Sequence, residues 1–187
     1  MRQVAERLGH TLLERETDIP VRGLATRNAA GSHIVLVASG YLARDEFTIA
    51  HELMELHCPR DWRTYLANDL KEGMCDRGAA ALLLPTAPFR ASVDELAGEL
   101  PALRRHWRNA SWDVIARRLV DVGVASTAAA WDSLELSWRY GGAGHSSEEE
   151  ALGHVYSGRG AAQVGGVRAW RLGGAGLGRA VSVGTVI

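Results

Sequence analysis

The stretch Phe47-Thr-Ile-Ala-His51-Glu52-Leu-Met-Glu55-Leu-His57-Cys58-Pro59 concentrates residues able to do chemistry. A helix turns about 100° per residue, so His51, Glu55, Thr48 and Glu52 fall within one arc of roughly 100°. Phe47, Ile49, Ala50, Leu53, Met54 and Leu56 fill most of the remainder, which predicts a helix covered on most sides. An imidazole and two carboxylates buried without partners are costly. A cation relieves that cost, either a metal or an Arg/Lys side chain. His51 and Glu55 stand four residues apart and can address one ion from successive turns. Glu52 lies beside them, where a general base would act. The pattern departs from the zinc-hydrolase sequence His-Glu-x-x-His in one residue: Glu55 replaces the second histidine. A catalytic zinc takes three protein ligands and a water. Glu72 can supply the third. Asp76, one turn further on, can hydrogen-bond a ligand histidine and fix its orientation. The alternative is a polar helix face satisfied by an arginine or by water.

Neighbouring residues are weaker candidates. His57 lies about 240° from His51 on the wheel, so an unbroken helix keeps it off the same ion, and a place near the last helix carbonyls suits it. Cys58 shares His51's face but sits about 10 Å further along the axis. Cys75 reads as core. The two cysteines form no CxxC pair and fit free thiols.

These residues need elements to position them. Pro59 ends the first helix, and Asp45 is a plausible N-cap with Glu46 in the first turn. His33 to Ala38, β-branched and apolar, predicts a strand ahead of it, with a shorter one at Val21–Thr26 and a turn at 28–32. Val4, Leu8, Leu12 and Leu13 predict an amphipathic helix over 2–15, broken at Asp18-Ile-Pro20. Trp62 and Tyr65 anchor the polar stretch after Pro59. A second helix runs from Asp69 to Pro85, with Glu72 and Asp76 on one face and Ala79, Ala80 and Leu83 continuing it. Small residues there allow close approach to a neighbour. Residues 92–108 and 111–122 predict two helices joined by a short turn, resembling a helix-turn-helix, with Gly123 as the stop and a further helix over 126–138. Arg117 and Arg118 could read DNA from the second of these helices, but Asp113 and Asp121 interrupt the basic face, so packing is preferred. Beyond Tyr140 the chain is Gly-rich. Ser146–Glu150 can start a helical turn, and Val167–Leu172 can pair with Arg179–Ile187 across the loop Gly173–Gly178.

At 187 residues with a net charge of −1, the chain can build one sizeable core and is not a general polyanion binder. It has no apolar run long enough for a membrane span and no signal-like leader, so a cytoplasmic location is expected.

The combination Phe47-Thr-Ile-Ala-His51-Glu52-Leu, Glu72-x-x-x-Asp76 and Leu82-Leu-Leu-Pro85 resembles the ImmA/IrrE family of metallopeptidases. The strand Ile34-Val-Leu-Val before the first helix adds to it, as does Leu103-Arg-Arg-His-Trp-Arg-Asn-Ala-Ser111 with Ile115, Arg118 and Leu119. The resemblance runs over residues 1–125. It implies an α+β fold with a zincin-like peptidase domain, and with the elements read above the chain divides into that domain over 1–88, a helix-turn-helix-like helical segment over 89–140 and a Gly-rich tail with a β-hairpin over 141–187. It implies His51 and Glu72 as zinc ligands, Glu52 as base and Asp76 as the carboxylate behind a ligand. The family's second ligand histidine falls on Glu55. One histidine and two carboxylates make a harder, more anionic site that tolerates Mn or another oxygen-preferring ion and leaves bound water a poorer acid. The expected function is a metal-dependent peptidase cutting one regulatory protein, such as a helix-turn-helix repressor. The alternatives are a weak or inactive peptidase-fold module that binds a partner, and a DNA-binding regulator acting through residues 100–123.

Overall fold

Gly9 sets the shape of the first fifteen residues. It takes φ +80°, a conformation that ends a helix cheaply only at glycine. Helix α1 therefore covers Arg2–Arg7 alone, and strand β1 follows at His10–Arg15. The single helix expected over 2–15 is corrected: after Gly9 burial falls on His10 and Leu12, a period of two. The computed structural model describes residues 1–15, 22–59, 67–144, 146–172 and 179–185. The break expected at Asp18–Pro20, the start of the next strand at Val21, the anchors Trp62 and Tyr65 and the loop 173–178 lie outside the described residues.

The architecture is mixed α+β, in two compact units: Met1–Phe89 with Arg105–Ser111, and Arg90–Arg104 with Trp112–Ile187. In the first, β2 (Gly23–Asn28) turns at Ala29-Ala30 into β3 (Gly31–Val37). The sheet order is β1-β3-β2, with β1 parallel and β2 antiparallel to β3. Helix α2 (Leu42–His57) lies on β2 and β3 and packs beside α3 (Asn68–Leu83). Ile34 and Leu36 point from one sheet face to Ile49, Leu53 and Leu56, with Ala5 closing the cluster. Each large side chain buried there contributes about 1.5–3 kcal/mol. The small-residue face of α3 does bring the helices close: Gly78 sits against Met54, and a Cβ there would fall 2.5 Å from Met54 Cε.

The expected helix over 92–108 is two helices. Helix α4 (Thr86–Glu95) ends where Ala97 and Gly98 adopt φ +51° and +66°, and α5 covers Leu100–His106. Helix α6 (Trp112–Asp121) forms as expected, and Gly123 closes it at φ +73°. The helix expected over 126–138 is instead a hairpin, β4 (Ala125–Asp132) and β5 (Glu135–Gly141), so residues 89–140 are not a helical segment throughout. The remaining chain is α7 (Glu148–Tyr156), β6 (Ala161–Val164), β7 (Val167–Arg171) and β8 (Arg179–Thr185). β7 and β8 pair antiparallel as expected, but within a five-stranded sheet ordered β5-β4-β8-β7-β6. Helix α7 covers the face carrying Val167, Ala169 and Ala180. Leu119 of α6 joins Trp170 and Val183 of the opposite face around a cavity of about 290 Å³. Among the described residues no helix is long and apolar enough to cross a membrane.

Candidate active site

Helix α2 starts earlier than its residues suggested, and this corrects the role of Asp45. Tyr41 is the N-cap, and Asp45 lies inside the first turn. Its carboxylate reaches back to accept the Ser39 N–H at 2.9 Å and the Ser39 hydroxyl at 2.6 Å. Glu46 beside it holds the Met1 ammonium. At the other end Cys58 is extended, as a residue before proline must be, and the helix stops at His57. The register of α2 is thereby fixed at both ends.

That register lays Glu52 against β2. The Ala25 N–H donates to its carboxylate. Gly23 passes so close that a Cβ there would lie 2.5 Å from Thr48 Cγ2 and 2.6 Å from Glu52 Oε1. Glu52 is only 6% exposed, and its Oε2 has no hydrogen-bond partner among the described residues. Burial pushes its pKa up to about 7. His51 pulls the other way, and Glu55 raises it further, by its charge and by sharing a hydrogen bond. A carboxyl that titrates near neutrality suits a group that both takes and returns a proton.

His51 bridges the two helices. Its Nδ1 lies 2.9 Å from Asp76 Oδ1 and its Nε2 lies 3.2 Å from Glu72 Oε2. The hydrogen bond to Asp76 raises its pKa, burial opposes this, and the charges of Asp76, Glu52 and Glu72 add to the rise. The structure thus brings His51, Glu72 and Asp76 together, with Glu52 beside them. Glu55 is differently engaged. The Lys71 ammonium lies 2.8 Å from Glu55 Oε1 and 3.8 Å from Glu72 Oε1. Its pKa is raised, first by the hydrogen bond to Glu55, against a burial penalty. Cys75 is core, as expected. Burial, with the charges of Cys58, Glu55 and Glu72 outweighing that of Lys71, pushes its thiol up to about 11, so it is no thiolate at neutral pH.

Two features were not read from the sequence. Lys71 is adjacent to Glu72, and adjacent helix positions diverge by about 100°, so nothing in the spacing joins their tips. His57 was placed near helix carbonyls, but its Nε2 meets His10 Nε2 at 3.0 Å, with the rings edge to face. His10 and His57 come from β1 and α2, and only the fold unites them.

The donor set can be tested against a divalent ion. Two atoms 3.2 Å apart, each about 2.0–2.1 Å from zinc, subtend roughly 100°, close to tetrahedral. His51 Nε2 and Glu72 Oε2 therefore fit as a ligand pair, with Asp76 behind the imidazole in the usual orienting position. Glu55 would complete the set, and its Oε1 is already held by the Lys71 ammonium. Among the described residues no three His, Cys, Asp or Glu side chains stand ready-converged for an ion.

The basic residues of α6 are taken up by their own unit. Arg117 stacks 4.5 Å over the Trp138 ring, and Arg118 is buried and 3.9 Å from Asp121. Both guanidinium groups are thus engaged in contacts within the unit.

No protein-family model matches the chain, and no curated protein does. Among solved structures the fold is similar to a Mycobacterium tuberculosis transcriptional regulator, with a TM-score of 0.71 at 16% identity, covering 98% of this chain and 68% of that one.

Proposed function

We propose that the chain is a metal-dependent peptidase of zincin-like fold that cuts a specific regulatory protein. One observation carries the reading: an imidazole held at Nδ1 by Asp76 presents Nε2 to Glu72, beside a buried carboxyl, Glu52, that titrates at about 7. His51, Glu72 and Glu55 would hold the ion, zinc or the more oxygen-preferring manganese. When bound, such an ion polarises a carbonyl and acidifies water. Asp76 keeps the proton of neutral His51 on Nδ1, so that Nε2 offers a lone pair. Glu52 Oε2 takes the proton of the attacking water and returns it to the departing amine. The Ala25 N–H holds the carboxylate while this happens.

A second reading draws on Lys71 and on the transcriptional regulator of similar fold: a module that binds a partner protein without cutting it. Glu52→Gln separates the two. The metal-loaded wild type, incubated with a candidate repressor, is expected to give a discrete fragment by mass spectrometry, and Glu52→Gln none. Equal cleavage by both would remove Glu52 as base. Tight binding of intact repressor by both proteins, without fragments, favours the second reading.

A further inference from the structure

We propose that Lys71 is a built-in competitor for the ion: its ammonium occupies Glu55 and Glu72, and the site loads only when the lysine withdraws. The inference rests on the metal-site reading above and concerns how that site is controlled.

The geometry divides Glu72 between two partners. Its Oε2 faces His51 Nε2 at 3.2 Å, while its Oε1 faces Lys71 Nζ at 3.8 Å. Glu55 gives Oε1 to the same ammonium at 2.8 Å. Two of the three proposed ligands are thus held by one cation from the same chain. The Lys71 side chain is only 16% exposed, although lysine ordinarily lays its stem on the protein and puts its ammonium in water. Turning inward is favourable because two carboxylates face each other across the gap between α2 and α3. A divalent ion approaching Glu55 and Glu72 meets a like charge already seated beside both carboxylates, and the two cations repel.

Withdrawal needs no change in the fold. Lys71 stands in the first turn of α3, and residues 67–70 just before it are exposed. Rotation about the lysine's own side-chain bonds carries the ammonium towards water, and the helix need not move. The competitor also explains why the ligand pair His51–Glu72 is in place while Glu55 is not. A charge-assisted hydrogen bond must be broken to load the site, which lowers the apparent metal affinity.

Zinc affinity of the metal-free full chain, measured by competition with a chromophoric chelator, tests this. Lys71→Met keeps the length of the side chain without the charge, and Lys71→Arg keeps a charge. Circular dichroism establishes that each variant is folded. Lys71→Met is expected to bind zinc at least about tenfold more tightly than wild type, and Lys71→Arg no more tightly. Equal or weaker binding by Lys71→Met overturns the proposal, as does equal tightening in Lys71→Arg. His51→Ala distinguishes this failure from failure of the metal-site reading. If wild type binds zinc and loses it in His51→Ala, the site is real and only the competition is judged. If neither wild type nor Lys71→Met binds zinc, the metal site is wrong and the competition falls with it.

Discussion

Glu52 combines two demands that oppose each other in stability. Burial against β2 favours its protonated form, and the proposed proton transfer needs its anion. The sign of the pH dependence follows. Its pKa is 4.5 for the ordinary residue and about 7 in the fold, so between these values the folded state holds a proton that the unfolded chain releases. The contribution is complete below 4.5 and is lost as pH rises through 7. Glu52→Gln does not titrate. In the metal-free protein it is expected to unfold like wild type at pH 4.5 and to be more stable by about 1–3 kcal/mol at pH 8, read from urea denaturation. The same stability at both pH values would mean that Glu52 is solvated in the folded state. At this scale the sequence was informative where spacing fixes geometry. His51 with Glu55, and Glu72 with Asp76, are each four apart, and the second pair meets His51 as the wheel suggests. Lys71 and the His10–His57 contact were hidden because they depend on where long side chains turn and on which strand lies beside a helix end.

Elements meet through glycines in two places, and the two differ in what lies opposite. At Gly23 the obstacles are Thr48, whose branched side chain is stiff, and the buried Glu52 carboxylate. Gly23→Ala is expected to cost about 1–3 kcal/mol by overpacking. At Gly78 the obstacle is the Met54 side chain, met at Cγ, Sδ and Cε, which is unbranched and bends more readily than Thr48. Gly78→Ala gains about 1 kcal/mol of helix propensity, which offsets part of the cost of moving Met54, so the loss is expected to be smaller than at Gly23. Thermal unfolding of both variants checks the contrast, and an equal cost at both sites would contradict it. Helix α3 and strand β3 were legible from their own residues: a β-branched apolar run in the strand, and a helical face ended by Pro85 in the helix. The segment 125–141 was not. Its Ser-Thr-Ala-Ala-Ala-Trp run has good local helix character, and pairing with β8 on one side and β5 on the other overrides it.

For the whole molecule, the second unit depends on its last strand. β8 is central in its sheet, between β4 and β7, and Ala180 to Val183 are all buried. Ending the chain at Leu172 removes the neighbour of both strands. Hydrogen exchange of that truncated protein is expected to show lost protection in β4 and β7. Retained protection there would show that the two strands do not need β8. The α+β class was legible from the mixture of periods in the chain. The sheet order was not, because β4 and β8 lie far apart in sequence and meet only in the fold.

The burial of Cys75 gives the molecule an internal clock. The residue is 3% exposed on α3, its thiol is held at about 11, and Cys58 at the end of α2 is only half-buried. At pH 8 iodoacetamide is expected to alkylate Cys58 first, leaving Cys75 to react only as often as its surroundings open. Mass spectrometry of timed samples would read that opening rate directly, with and without zinc. Immediate modification of both sulfurs would mean that the buried thiol is not shielded.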